Sequence, residues 1–110
     1  MAYDELLAEE VRKALSGQRV VEKRVFGGLA FMVSGKMCVS VNNRPDHVMM
    51  VRIDPQNAAE YIKRKGARLA VMRGREMPGW IFLTQEAIRA EQDFDFWIQQ
   101  ALRFNRILTK

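Results

Sequence analysis

A chain of 110 residues is the length of one domain, and 48% hydrophobic with 28% charged residues is the make-up of a globular protein rather than a disordered or fibrous one. A single cysteine, Cys38, excludes an internal disulfide framework, and no apolar run nears the roughly 18 residues that a membrane span needs. The net charge of +5 leaves a nucleic-acid partner open, but the basic residues are dispersed and only Lys63-Arg64-Lys65 forms a run. The first predicted element is a helix from Asp4 to Ser16. Tyr3, Leu7, Val11 and Ala14 recur at spacings of three and four, Leu6 and Leu15 widen the stripe, and Gly17 is a natural stop.

Strands follow. Val20–Val25 is short, Leu29–Val33 is apolar throughout and Met37–Val41 nearly so, with Ser34-Gly35-Lys36 as a hairpin connection. Asn42 to Asp46 is a loop by composition, and His47–Ile53 is a further strand rich in Val and Met. Asp54-Pro55 opens a helix, Asp as cap and Pro in the first position, predicted to run from Pro55 to Lys65 and to end at Gly66. Leu69–Met72 is a strand, Arg73 to Gly79 a turn-rich connection, and Trp80–Leu83 another strand. Thr84 is placed to cap a brief turn, Gln85 to Arg89. The last helix runs from Asp93 or Phe94 to Leu108, with Phe94, Trp97, Ile98, Ala101, Leu102, Asn105 and Leu108 on one wide stripe. The order α-β-β-β-β-α-β-β-α predicts an α+β fold: a two-layer sandwich, a mostly antiparallel sheet with helices packed on it.

The start MAYDELLAEE lacks the basic and apolar regions of a secretory leader, and a lone cysteine in an apolar strand suits a reducing compartment, so the expected location is cytoplasmic. Gly27-Gly28 does not read as a phosphate cradle. A cradle opens a helix, whereas the pair is followed by Leu-Ala-Phe-Met-Val, a strand pattern; it is read as a corner or bulge between strands. One of the two is expected at positive φ or under a closely approaching backbone.

The best candidate constellation is Arg52, Arg73 and Arg75. Arg52 lies in a Val/Met strand where a charge is costly unless paired, and Arg73 and Arg75 flank Gly74. Brought together, the three could hold a phosphate or carboxylate; the other reading is that they brace the sheet through Glu76, Asp54 or Glu22. His47, the only histidine, has no partner at metal spacing, so no metal site is expected. Cys38 reads as an inert core thiol rather than half of a Cys38–His47 pair. Trp80 and Trp97 read as core anchors. The methionines read as core filling or as a partner surface on the uncovered sheet face, and Met49 and Met50 must point to opposite faces. No catalytic residue and no cofactor is expected.

Phe26-Gly27-Gly28-Leu29-Ala30-Phe31, then Val51-Arg52-Ile53, then Met72-Arg73-Gly74-Arg75-Glu76-Met77-Pro78-Gly79-Trp80 resemble the TfoX/Sxy N-terminal domain family, as do the opening MAYDELLAEEVRKAL and Phe96-Trp97-Ile98-Gln99-Gln100-Ala101-Leu102. The resemblance covers essentially the whole chain. It implies a small α+β sandwich similar to secretion-chaperone-like domains, with Phe26, Gly27, Gly28 and Gly74 as structural positions. Founding members are bacterial regulators of competence for DNA uptake that act on transcription together with the cAMP receptor protein and carry a second, C-terminal domain. The chain ends at Lys110, just after the last predicted helix, so the expectation is one stand-alone domain over residues 1–110. The expected function is a non-enzymatic regulatory or protein-interaction module with a protein partner or self-association; the alternative is a nucleic-acid-associated domain that binds phosphate through an Arg/Lys surface.

Overall fold

The computed structural model of the chain describes residues 3–25 and 27–110; Phe26 lies outside the described residues. Helix α1 covers Glu5–Ala14, capped by Asp4, whose Oδ1 accepts the Leu6 and Leu7 N–H groups at 2.9 and 3.3 Å. It is tied to the sheet by Arg12, which donates to both oxygens of Glu22 and to Glu9. That fork holds the Glu22 carboxyl below its usual range. The helix buries Leu7, Ala8, Val11 and Leu15, but Leu6 is 78% exposed, so the apolar stripe is narrower than its sequence suggests.

Strands β1 (Val20–Val25), β2 (Gly28–Val33), β3 (Lys36–Val41) and β4 (Met49–Arg52) form an antiparallel meander. Strands β5 (Ala67–Met72) and β6 (Arg75–Leu83) form a hairpin whose second strand pairs with β4, giving a six-stranded sheet of order β1-β2-β3-β4-β6-β5. The β2–β3 loop is Ser34-Gly35 alone, at φ of 52° and 85°. These are the two left-handed positions of the turn that matches strand twist.

Two irregularities shape the sheet. Phe31 faces Val39 while Met32 faces Met37, so Cys38 is an extra residue in β3 and its thiol joins Val39 in the core. Burial pushes that thiol up to about 12. Leu69 faces Ile81 while Ala70 faces Met77, which leaves Pro78, Gly79 and Trp80 without partners in β5. A strand tolerates Pro at such a place because it has no N–H to offer the ladder. The segment from Arg75 to Gly79, expected as turn, is therefore strand, and the connection shrinks to Arg73-Gly74.

The second helix is also shorter than expected. Asp54 accepts the Gln56 N–H, Pro55–Asn57 form a 3₁₀ turn, and α2 is only Ala58–Tyr61. Ala59 is exposed and Ile62 is 39% exposed, so the helix buries too little apolar surface to sustain more turns. Helix α3 covers Gln85–Ile88, without a side-chain bond from Thr84, and α4 covers Glu91–Leu108.

All four helices lie on one face. Their buried residues join Val39, Val41, Met49, Val51, Ile81 and Leu83 in a single cluster, with Trp97 and Phe31 among its largest fully buried side chains. Within it the Asn105 Nδ2 donates to the Val33 carbonyl at 3.0 Å, so the one polar residue of the α4 stripe is satisfied by the end of β2. No helix among the described residues is long and apolar enough to cross a membrane.

Candidate functional site: the helix-free face of the sheet

The alternation of β4 sends Met49 and Val51 into the helix-covered core and Met50 and Arg52 to the other face. There Met50, Ala70 and Phe82 are buried in a second cluster, with Met37, Met72, Met77 and Trp80 half-buried around them, and among the described residues no helix residue belongs to it. Trp80 is thus not an anchor of the main core. It lies on the open face opposite Arg52, its register partner, whose guanidinium sits 4.9 Å from the ring centre.

At one end of this face is a cavity of about 410 Å³. Its lining draws on Ser40 and Asn42 from the end of β3, Met50, Phe82, and the tip of the β5–β6 hairpin at Val71, Met72 and Arg73. Val25 of β1 also borders it. β1 and β5 are the outermost strands, which a flat sheet with strands about 4.8 Å apart would hold too far from each other to share a cavity of this size. The sheet curls, and the Pro78–Trp80 bulge lies where the hairpin must bend.

The wall opposite the hairpin tip is a small network. The His47 ring is stacked on Phe82, centroids 3.6 Å apart and planes within 6°. Its Nδ1 lies 3.0 Å from Asp46 Oδ1, and Asp46 Oδ2 accepts from Arg68, whose guanidinium also stands 5.0 Å from the Phe82 ring centre. Burial, opposed by Asp46, holds the imidazole below its usual range, so it is neutral at pH 7 with the Nδ1 proton turned to Asp46. Partial burial would raise the Asp46 carboxyl, but His47 and Arg68 outweigh it and keep the group below its usual range.

Gly28 is the corner that lets β2 run beneath Val41. A side chain there would run into the Val41 carbonyl oxygen, with Asn42 Cβ at 3.1 Å. Gly27 has φ of +74° and open space around it. Gly28→Ala is expected to cost about 1–3 kcal/mol by overpacking, and Gly27→Ala about 1 kcal/mol from the backbone alone. Urea titrations followed by circular dichroism check both; equal stability of Gly28→Ala and the parent would contradict the close approach.

The three candidate arginines stand in different settings. Arg73 lines the cavity, Arg52 lies on Trp80, and Arg75 begins β6 as the register partner of Met72. None of the three has an ion pair among the described residues: Glu22 is taken by Arg12, and Asp54 caps its own turn. Arg73 has φ of +53° beside Gly74 at +76°, in a two-residue turn between the paired residues Met72 and Arg75. A left-handed arginine costs about 1 kcal/mol or more. Gly74 supplies the second left-handed position, with nothing near its absent side chain.

His47 and Cys38 lie on opposite faces of the sheet, His47 against Phe82 and Cys38 in the helix-covered core. Among the described residues no three His, Cys, Asp or Glu gather as a metal site would require. The reading by sequence missed Ser40, Asn42 and Phe82. The signal was there in part: Ser40 and Asn42 alternate with Val39 and Val41, so both polar side chains fall on one face of a strand whose other face is core.

The family model described as the TfoX N-terminal domain matches residues 11–105. Nothing among the curated proteins and nothing among the solved structures matches the chain.

Proposed function

Because the chain belongs to the TfoX N-terminal domain family, we propose that it is a non-enzymatic regulatory module that works by holding a protein partner against the helix-free face of its sheet. One observation carries this reading: Met37, Met72, Met77 and Trp80 stand half-buried around Met50 and Phe82 on a face that no helix covers. Methionine, aromatic residues and arginine are the types enriched in the cores of protein interfaces, and Arg52 over Trp80 adds the third. The non-enzymatic part is supported by the separation of Cys38 from His47 and by a thiol held un-ionised at neutral pH.

The alternative, an Arg/Lys surface for nucleic-acid phosphate, loses its one basic run to local ion pairs. Arg64 and Lys65 both meet Asp93 and Lys63 meets Glu60, and the Arg64 guanidinium lies 3.7 Å from the centre of the Phe96 ring. The test places a photo-reactive phenylalanine at Met77, on the open face, and separately at Leu6, exposed on α1. In cells of the source organism, a discrete cross-linked product is expected from Met77, absent from Leu6 and lost when Trp80→Ala is added. Cross-linking equal at both positions, or none from Met77, overturns the reading. A short DNA duplex is expected not to bind at low salt; binding that fades with salt and with Arg73→Ala/Arg75→Ala would put the phosphate-binding alternative in its place.

A further inference from the structure

We propose that the cavity beneath the β5–β6 hairpin tip is a binding site for a small organic anion, an apolar body carrying one carboxylate or phosphate, with Arg73 meeting the charge. The site shares Met50, Met72 and Phe82 with the face proposed to hold a protein partner, and it does not require that partner to bind its ligand. Its volume of about 410 Å³ falls in the range of roughly 300–1,000 Å³ typical of small-molecule sites.

The lining divides as such a ligand would require. Met50, Met72 and Phe82 supply the apolar part, and the stacked rings of His47 and Phe82 bring a rigid aromatic pair to the wall. The polar part holds unspent hydrogen-bonding capacity. Ser40 is buried and its hydroxyl has no hydrogen-bond partner among the described residues; the Asn42 amide accepts from the Arg44 N–H at 3.4 Å and leaves its own NH₂ unused. No side-chain polar atom sealed from solvent lacks a partner among the described residues. The Ser40 hydroxyl therefore keeps its access through the cavity.

The charge at the cavity is positive. Arg44 and Arg73 line it, and its one acid, Asp46, is already engaged by His47 and Arg68. Among the described residues nothing else of negative sign lines the space. Arg73 is the most telling residue. A two-residue turn with both φ positive favours Asn-Gly or Asp-Gly, yet this chain places there an arginine with no ion pair among the described residues, against the backbone's preference. The conformation that strains the turn is the one that places Arg73 in the cavity lining. A guanidinium fits carboxylate and phosphate alike, and donors from Ser40 and Asn42 complete the set.

The test titrates amide correlation spectra with phenyl phosphate, benzoate, benzylamine and inorganic phosphate into the millimolar range. Phenyl phosphate and benzoate are expected to shift the resonances of Ser40, Asn42 and Arg73, and the tighter of the two identifies the head group. Benzylamine, the same body with the opposite charge, is expected to leave them still. Arg73→Asn is expected to weaken anion binding about tenfold or more while raising the melting temperature, because Asn suits the turn that Arg strains. A shift with no anion, equal binding of benzylamine, or undiminished binding by the well-folded Arg73→Asn variant overturns the site. Inorganic phosphate binding as tightly as phenyl phosphate overturns the role of the apolar wall.

Discussion

Trp97→Ala is expected to remove roughly 3–5 kcal/mol of stability, the usual cost of emptying a large aromatic site in a core. Trp97 is 1% exposed, and its ring meets those of Tyr61 and Phe96 edge-on at 5.7 and 5.2 Å. It joins α4 to α2 as well as to the sheet, and Tyr61 is further fixed by its hydroxyl, which donates to Gln100 at 2.8 Å. Tyr61 is thus held by another contact and resists collapsing into the space. Against a total stability of about 5–15 kcal/mol, the variant is expected to populate the unfolded state already at moderate temperature. Urea titration followed by far-UV circular dichroism measures the loss. A cost below about 1 kcal/mol would mean that α4 does not centre on this residue.

Gly66→Ala is expected to be nearly as damaging, although only one methyl group is added. Gly66 has φ of +72°, and a Cβ there would meet Ala87 N at 2.8 Å and Ala87 Cβ at 2.9 Å, with the Thr84 hydroxyl nearer still. The left-handed backbone costs about 1–2 kcal/mol and overpacking about 1–3 kcal/mol, so a loss of roughly 2–5 kcal/mol is expected. The hydroxyl can swing aside, but the Ala87 amide is backbone of α3 and cannot. Gly17→Ala separates the two contributions. Gly17 has φ of +90° with nothing within 4 Å of the added carbon, so only the backbone cost applies. Equal losses in the two variants, measured by the same titration, would remove the packing contribution at Gly66.

Gly66 shows how the sequence could mark a position without revealing its reason. Its place after Lys63-Arg64-Lys65 suggests a helix stop; what requires glycine there is the approach of α3, nearly twenty residues later in the chain. The long α4 stripe was legible because its period is strong: Phe94, Trp97, Ile98, Ala101, Leu102 and Asn105 are all buried. The second helix was misjudged because a cap and a proline fix where a helix starts but not how long packing sustains it. The start of β6 was hidden by Met77-Pro78-Gly79, which reads as a turn until the register shows a bulge. The cavity was the least legible feature. Gly28, Ser40, Met50, Arg73 and Phe82 come from four strands and one turn, and only the curl of the sheet brings them together. Of the arginines that composition and strand pattern singled out, the one at the cavity was distinguishable by its turn, not by its charge.

The placement of α4 also bears on how the chain is made. Every strand among the described residues precedes it, so β3, β4 and β6 are synthesised before the helix that covers their apolar side. At synthesis rates of about 5–20 residues per second, the interval between the end of β6 and the end of α4 lasts roughly 1–5 s. Until α4 packs down, Val39, Val41, Met49 and Val51 lack the cover of Trp97, Ile98 and Leu102. A chain in which α4 has yet to dock leaves those strands with part of their lid missing, the kind of surface that recruits chaperones or sticks to its own kind. The domain's exposure to misassembly thus lasts until α4 packs down, and that helix decides when it ends.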